Sequence, residues 1–350
     1  MKNKIKAEII AHSKRAETGD EIITYKLTFP RIILSEVNTY GSLSSRNTSS
    51  SRAVPFEKMV EVVKNDPFIP LAFQCQHKGM QGKEYITNSD EIQLLELEWI
   101  SAKNYAVKQA KVLNNMGVSK QICNRLLEPF MWVTQLCTGT RESFEHLFDQ
   151  RCPIYDISNE ILRLAGSETE TSFKSKKEVI KRFPQLSSKD DLWWLQHNKG
   201  QAEIHFMDLA EKMYDALNES KMEILEDNEW HIPFSDRPEF TPEMSLKDKI
   251  ILSCAMTART SYTTINDNEI LTLEKAKKIY DKCVESGHFS VVSHCAKCMT
   301  DVEYRSWIKG EIEREDFVVF VPQETHGYNK NLRGFISLRQ YVEDGKEITN

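Results

Sequence analysis

The stretch from Ser89 to Met116 constrains the fold most, because it carries the strongest helical pattern in the sequence. Ser89 can cap a helix N-terminus, the two acidic residues after it complement the positive helix end, and Gly117 can close the helix. Apolar residues recur at helical spacing and predict a core-facing stripe. These residues are Ile92, Leu95, Trp99, Ala102, Ala106 and Leu113. Any fold of this chain must therefore pack a long helix.

A second pattern predicts a sheet. The stretch Glu21 to Phe29 alternates between apolar and polar residues, which indicates a half-buried strand. The residues of its apolar face are Ile23, Tyr25, Leu27 and Phe29. Residues 4–11 are expected to pair with this strand through a turn at residues 18–20, T-G-D. Strand and helix patterns together predict an α+β fold with a mixed, mostly antiparallel sheet and long packed helices.

The composition excludes several classes of function. The chain has 350 residues, of which 40% are hydrophobic and 28% charged, as in globular proteins. A formal net charge of −6 argues against a general nucleic-acid binder. No apolar run approaches the roughly 18 residues of a membrane span, and the N-terminal apolar run is too short for a signal peptide. We therefore expect a cytoplasmic protein without a membrane partner.

The cysteines predict neither a disulfide scaffold nor a metal site. Eight cysteines are spread thinly from Cys75 to Cys298. Cys295 and Cys298, flanked by His288 and His294, have a spacing that zinc sites use. A structural zinc site normally needs a second ligand pair, and the sequence offers no obvious one. We expect no bound metal.

The segment from Asn38 to Pro55 contains six serines, two threonines and two arginines. A flexible serine-rich loop is the plain interpretation of this composition. Hydroxyls, backbone N–H groups and guanidinium groups also make a good receptacle for a phosphate. Composition leaves both interpretations open.

The residue order in this segment resembles the signature of flavin-dependent thymidylate synthases, R-H-R-x-x-S-x-N-x-x-S-x-R. Ser44, Asn47, Ser50 and Arg52 match its second half, with one extra residue between Ser44 and Asn47. The family's R-H-R falls on residues 39–41, T-Y-G. The match therefore covers the nucleotide-binding half of the signature more fully than the flavin half.

Three further stretches resemble motifs of the same family. Residues 117–129 look like its G-V-P-R-E-x-A-R-x-x-L-P helix, and residues 138–151 like the segment that ends N-F-L-N-L-R. Residues 200–204, G-Q-A-E-I, resemble its A-Q-x-E-I motif. Between the last two lies an inserted excursion, at about 152–198, that the usual enzymes lack.

Two motifs that usually precede the signature follow it here. Residues 253–262, S-C-A-M-T-A-R-T-S-Y, resemble A-A-R-V-S-[FY], and residues 288–294 resemble H-x-[ST]-P-F-E-H. The resemblance therefore implies a single domain over residues 1–350 with these motifs permuted to about 250–300, which closely spaced surface termini permit. The W-H-I-P-F sequence at 230–234 fits a longer, phage-type branch of the family, which implies a phage-encoded enzyme acting in the host cytoplasm.

The resemblance implies an FAD-dependent enzyme that methylates dUMP to dTMP with methylenetetrahydrofolate and NADPH, without a cysteine nucleophile. It also implies a homotetramer with sites between subunits. Two other functions stay open: a related dUMP-modifying enzyme such as a hydroxymethylase, and a catalytically inactive homologue that binds nucleotides or serves assembly.

The resemblance also assigns roles to individual residues. The implied catalytic residues are Arg151 and Tyr40. The implied substrate-binding residues are Ser44, Asn47, Ser49, Ser50, Arg52 and Glu36. The implied cofactor-binding residues are Thr39, Tyr40, His288, Ser290, His294, Gln201 and Glu203.

Overall fold

The computed structural model describes most of the chain. The described residues are 4–40, 43, 45–79, 82, 84–158, 172–261, 270–306, 311–314, 317–320 and 332–348, with backbone alone for 311–314 and 317–320. Ser44, a predicted substrate-binding residue, lies outside them, as does Gly41.

The described part of the chain forms one five-stranded sheet and three smaller ones. In chain order the strands are β1 (Lys6–Arg15), β2 (Glu21–Pro30), β3 (Ser45–Thr48), β4 (Trp132–Thr140), β5 (Tyr155–Asp156), β6 (Ser172–Phe173), β7 (Glu223–Leu225), β8 (Trp230–His231), β9 (Ala296–Cys298), β10 (Glu311–Arg314), β11 (Phe317–Phe320) and β12 (Phe335–Ser337). The large sheet has the order β3-β4-β2-β1-β7, and the others are β12-β9-β8, β5-β6 and β10-β11. Within the large sheet only the β1–β7 pair is parallel.

Helices cover both faces of the large sheet. In chain order they are α1 (Leu34–Asn38), α2 (Phe56–Asn65), α3 (Ser89–Asn115), α4 (Lys120–Cys123), α5 (Arg141–Arg151), α6 (Lys176–Arg182), α7 (Asp191–His197), α8 (Ile204–Glu219), α9 (Leu246–Arg259), α10 (Leu273–Glu285), α11 (Asp301–Tyr304) and α12 (Leu338–Glu343). Short 3-10 helices cover Arg31–Ile33, Asn124–Phe130, Pro184–Ser188 and Phe289–Val292. The fold class is α+β, as predicted. None of the helices in the described ranges combines the length with the apolar composition that a bilayer crossing requires.

The two faces of the large sheet belong to different hydrophobic cores. On one face, Tyr25 of β2 packs in a cluster with Phe206 of α8. On the other face, Leu136 of β4 packs in a cluster with Leu252 of α9. We call these the α8 face and the α9 face. Because side chains alternate along a strand, neighbouring residues of β3 and β4 serve different faces.

The predicted hairpin is confirmed. β2 covers Glu21–Pro30, and β1 pairs with it in antiparallel register. Gly19 adopts φ 75° in the turn, a conformation that glycine accepts without a steric penalty. β1 continues to Arg15, beyond the predicted end of the strand.

The long helix α3 is confirmed, but its N-cap is Asn88 rather than Ser89. The Asn88 side chain accepts hydrogen bonds from the backbone N–H groups of Asp90 and Glu91, both at 3.0 Å. The backbone of Asn88 is extended, as an N-cap requires, whereas Ser89 is already helical. Capping depends on where the chain turns, which residue type alone does not fix.

α3 is apolar on two sides. Trp99, Ala106 and Leu113 of the predicted stripe pack against a core cluster, whereas Ala102 is exposed. The opposite side carries a second apolar row at helical spacing that faces away from this chain, which we call the exposed stripe. Its exposed fractions are Leu94 58%, Leu97 65%, Tyr105 65%, Val112 45% and Met116 75%.

The stretch predicted as an insertion has its own small core. Tyr155, Phe173 and Trp194 belong to one apolar cluster, formed around the β5–β6 pair, α6 and α7. The two ends of the stretch meet, because the N–H of Lys199 donates to the carbonyl of Ile154 at 2.7 Å. Trp194 therefore packs in the core of this stretch. Residues 159–171 lie outside the described residues.

Candidate functional site

Arg151 and Tyr40, the two residues with implied catalytic roles, lie against each other at the end of α5. The Arg151 guanidinium is 5.1 Å from the centroid of the Tyr40 ring and 5.6 Å from that of Phe206. The Tyr40 hydroxyl donates to Gln150 Oε1 at 3.0 Å. Within the described ranges Arg151 forms no ion pair, and aromatic rings hold it by cation–π contact. Its guanidinium can therefore meet an anionic or carbonyl ligand.

Two carboxylates, Glu36 and Glu203, flank this cluster. Burial raises the pKa of Glu36 and the nearby Glu203 raises it further, whereas Arg151 and His205 lower it. Glu203 is the N-cap of α8: its Oε2 accepts from the N–H groups of His205 at 2.8 Å and Phe206 at 3.0 Å. Its Oε1 pairs with His205 Nδ1 at 2.5 Å. Both carboxylate oxygens of Glu203 are thus occupied by contacts with the first turn of α8.

The loop after β3 is joined to the C-terminal end of α9. Asn47, buried on β3, donates through Nδ2 to the Thr257 carbonyl at 2.6 Å and to Thr260 Oγ1 at 2.9 Å. The Ser261 hydroxyl donates back to Asn47 Oδ1 at 3.2 Å. The Ser50 N–H donates to the Ser261 carbonyl at 3.0 Å. Two stretches that resemble one family, residues 45–52 and 253–261, therefore meet.

The same loop is held from its other side by the 3-10 helix Asn124–Phe130. Asn124 donates through Nδ2 to the carbonyls of Ser51 at 2.7 Å and Val54 at 3.1 Å. The Ser51 hydroxyl donates to Glu128 Oε1 at 2.6 Å, and Arg31 forms an ion pair with the same oxygen at 3.0 Å. The stretch 117–129, a third motif of the resemblance, therefore also meets this loop. Residues 45–54 of the serine-rich segment therefore form β3 and a loop held by specific hydrogen bonds.

The remaining substrate-binding candidates occupy two environments. Ser49 exchanges hydrogen bonds with the backbone of Thr134, donating through its N–H at 2.8 Å and accepting at Oγ at 3.0 Å. Arg52 is exposed and forms no hydrogen bond or ion pair with the residues that the structure describes. Its exposed side chain can therefore contact a ligand bound beside the loop that follows β3.

His294 ends a buried row of hydrogen bonds on the α9 face. The row runs from Ser13 Oγ to His231 Nδ1 at 2.8 Å, from His231 Nε2 to Thr24 Oγ1 at 2.8 Å, and on to Thr138 Oγ1 at 2.7 Å. Thr138 then contacts His294 Nδ1 at 2.7 Å. Burial lowers the pKa of both histidines to about 3, so both are neutral. His294 Nε2 is buried without a partner.

The other cofactor candidates lie near the surface. His288 and Ser290 are exposed, and His288 Nδ1 contacts Ser286 Oγ at 2.8 Å. Gln201 is exposed and donates to the Lys199 carbonyl at 3.0 Å.

The implied flavin residues do not surround one pocket within a single chain. Thr39, whose hydroxyl donates to the Glu36 carbonyl at 2.6 Å, adjoins Tyr40 and the Arg151 cluster near α8. His294 lies on the α9 face, and the sheet separates it from that cluster. Among the described residues, the implied flavin residues of one chain therefore do not come together at one site.

Sequence reasoning missed two residues of these clusters. Phe206 contacts both Tyr40 and Arg151, and as an ordinary helical apolar residue it gave no signal. The Ser45 hydroxyl donates to the carbonyl of Ser293 at 2.9 Å. Ser45 stands two positions before Asn47 and so fits the S-x-N spacing without the extra residue that a match at Ser44 requires. The S-x-N spacing could therefore have identified Ser45 from the sequence.

Burial raises the pKa of five of the cysteine thiols. All eight are free thiols and six are buried. Burial raises the pKa of Cys137 to about 12 and that of Cys298 to about 11, which keeps both thiols protonated. Among the described residues no group of three or more His, Cys, Asp or Glu side chains is arranged to hold a metal ion.

No protein-family model and no curated protein matches the chain. Among solved structures, it is similar to a UMP/dUMP methylase PolB from Streptomyces cacaoi bound with 5-Br dUMP, with 12% identity and a TM-score of 0.42 over 63% of this chain and 92% of that one. The same methylase bound with 5-Br UMP is similar with 14% identity and a TM-score of 0.35, over 43% of this chain and 78% of that one.

Proposed function

We propose that the chain is an enzyme that binds dUMP and modifies its uracil ring, as an FAD-dependent thymidylate synthase-like protein. Methylenetetrahydrofolate would supply the carbon and NADPH the reducing equivalents, and bound flavin would supply the hydride. Arg52 would hold the phosphate, together with N–H groups of the loop other than those of Ser49 and Ser50, which donate within the protein. Arg151 would face the ring.

One observation carries this proposal. Three stretches that resemble separate motifs of one family, far apart in this sequence, are joined by buried hydrogen bonds at one loop. Asn47 links the loop to Thr257, and Asn124 links it to Ser51. A merely flexible serine-rich linker needs no such contacts, because its composition leaves its backbone solvated.

The test begins with the absorbance spectrum of the purified full-length chain, before and after addition of FAD. Incubation with dUMP, methylenetetrahydrofolate and NADPH should then give a product in which a methyl group replaces a ring hydrogen, heavier by one CH2 unit in mass spectrometry. Arg151→Ala should abolish turnover, while Arg125→Ala, which alters another arginine side chain that is largely exposed, should not. A protein that neither takes up FAD nor changes dUMP would overturn the proposal.

Two alternatives belong to the same site. A product heavier by a hydroxymethyl group would assign a dUMP hydroxymethylase. Binding of dUMP without any turnover would assign an inactive nucleotide-binding or assembly homologue. The T-Y-G sequence at 39–41 favours the second alternative, because it lacks the cations of R-H-R, and both Glu203 oxygens are occupied by the start of α8.

The proposal includes a homotetramer with sites between subunits. The exposed stripe of α3 supports assembly, since a helix that is apolar on two sides is normally buried on both. The division of the implied flavin residues between the α8 face and the α9 face also fits a site that a second copy completes.

A further inference from the structure

Two side chains that lie near each other on the α8 face hold buried polar atoms for which the described residues offer no partner. They are Arg46 on β3, whose Nε and Nη2 lack a partner, and Gln135 on β4, whose Oε1 lacks one. Folded proteins seldom keep such atoms unpaired, so each one requires an explanation. A ligand that accepts two hydrogen bonds and donates one would satisfy all three atoms.

The register of the strands brings the two side chains to one place. Arg46 pairs with Cys137 and Thr48 pairs with Gln135, so Arg46 and Gln135 are diagonal neighbours on the same face. Diagonal neighbours lie about 7–8 Å apart, within reach of long side chains. The Arg46 guanidinium also offsets part of the rise that burial causes in the pKa of Cys137, as expected for a cation beside that thiol.

The orientation of Gln135 is fixed by its own contacts. Its Nε2 donates to Asn38 Oδ1 at 3.1 Å and to Thr48 Oγ1 at 2.7 Å. Rotating the side-chain amide would place Oε1 against Asn38 Oδ1, two acceptors facing each other, so in the arrangement shown the acceptor Oε1 remains for a ligand. Arg46 can only donate. The pair therefore presents one acceptor beside two donors.

We propose that Arg46 and Gln135 bind the imide edge of a planar ring, where an N–H lies between two carbonyl groups. The ring N–H would donate to Gln135 Oε1, and the adjacent carbonyl oxygen would accept from Arg46 Nε and Nη2. This inference rests on the proposed function, whose substrate carries this edge on its uracil ring. The isoalloxazine ring of a flavin carries the same edge, so the chemistry has two possible sources.

The same arrangement rejects a cytosine ring. Cytosine offers an unprotonated ring nitrogen where uracil offers an N–H, and an amino group where uracil offers a carbonyl. The nitrogen would then face Gln135 Oε1, and the amino group would face the guanidinium. A site built to hydrogen-bond one pattern discriminates strongly against the other, because its buried polar groups stay unpaired.

The test compares the wild-type full-length chain with Arg46→Met, by calorimetric titration with dUMP, dCMP and FAD. Arg46→Met removes donors that have no protein partner, so the melting temperature should stay the same or rise. Its affinity for the imide-bearing ligand should fall about tenfold to a hundredfold. Gln135→Met should reduce the ratio of the affinity for dUMP to the affinity for dCMP. Arg52→Ala should weaken the binding of dUMP and dCMP by the same factor.

The outcomes separate the two proposals. A loss of dUMP affinity in Arg46→Met assigns the edge to uracil, and a loss of FAD affinity assigns it to the flavin; either result supports the imide site. Unchanged affinities for both ligands, in a wild type that binds dUMP, overturn the inference and leave the proposed function standing. A wild type that binds neither ligand overturns both.

Discussion

The side-chain amide of Asn47 donates a 2.6 Å hydrogen bond to the carbonyl of Thr257, a residue 210 positions further along the chain. This contact joins the edge strand β3 to the end of α9. It links two stretches whose sequences resemble motifs of one family.

Asn47→Ala should lower the free energy of unfolding by about 1–3 kcal/mol, because it removes the three hydrogen bonds of a buried side chain. Urea unfolding followed by circular dichroism measures this. Asn104→Ala, at an exposed position of α3, is the control and should cost nothing. Equal stability of the two variants would show that the junction between the loop and α9 is not stabilising.

Arg52→Ala should weaken dUMP binding about tenfold to a hundredfold, since it removes a charge-assisted contact with the phosphate. Folding should change by only about 0–1 kcal/mol, because the side chain is exposed. Calorimetry on Arg52→Ala and Arg125→Ala decides the question. Equal affinities would place the phosphate elsewhere. Arg46 lies outside the positions that match the family signature, which would make it a control by sequence. It is unsuitable because its Nε and Nη2 atoms are buried without a partner among the described residues.

Glu211→Gln should flatten the pH dependence of stability. Glu211 lines a cavity of about 410 Å³ between α8 and the predicted insertion. Its carboxyl accepts from Tyr155 at 3.0 Å and from the N–H of Lys176 at 2.7 Å, and burial raises its pKa to about 7.

The sign follows from this raised pKa. Between about pH 4.5 and 7 the unfolded Glu211 is ionised while the folded one keeps its proton. The stabilisation that Glu211 contributes is therefore fully present below this window. As the pH rises through it, the free energy of unfolding falls by up to about 3 kcal/mol. Melting temperatures of wild type and Glu211→Gln from pH 5 to about pH 8 measure the slope. Glu96→Gln, on another wall of the cavity, is the control; if it flattens the slope as much, Glu211 is not the cause.

Leu97→Glu should dissociate the assembly that we propose, because it places a charge in the middle of the exposed stripe. Light scattering coupled to size exclusion reports the mass of the particle. Gln93→Glu, on the same helix but outside the stripe, should leave that mass unchanged. A wild-type monomer, or a Leu97→Glu variant of unchanged mass, would remove the role of this stripe in assembly.

Local patterns predicted the elements that local forces dominate. The alternation at residues 21–29 predicted β2, and the helical spacing at 89–116 predicted α3, since burial on one face imposes these periods on the sequence. The cap at Asn88 and the small core around Trp194 escaped prediction. The first depends on a backbone turn, and the second depends on contacts among residues in separate short elements.

The candidate site was likewise predictable from the sequence only in part. Sequence order identified Asn47 and Arg151 as candidates, but only the tertiary structure shows that Asn47 is committed to Thr257 and that Arg151 is held by aromatic rings. The unpaired atoms of Arg46 and Gln135 depend on strand register and on alternation between two faces of a sheet.

By itself the sequence determined the fold class and the long helix, because the hydrophobic period is a local property of the chain. It also suggested which residues are candidates for nucleotide binding, because their chemistry and order can be seen in the sequence. Only the tertiary structure decided which of those residues share a face, which are spent on stabilising the fold, and which keep an unsatisfied polar atom. Those outcomes depend on pairing between segments up to 210 residues apart, and the free energy of such pairing leaves no periodic trace in the chain.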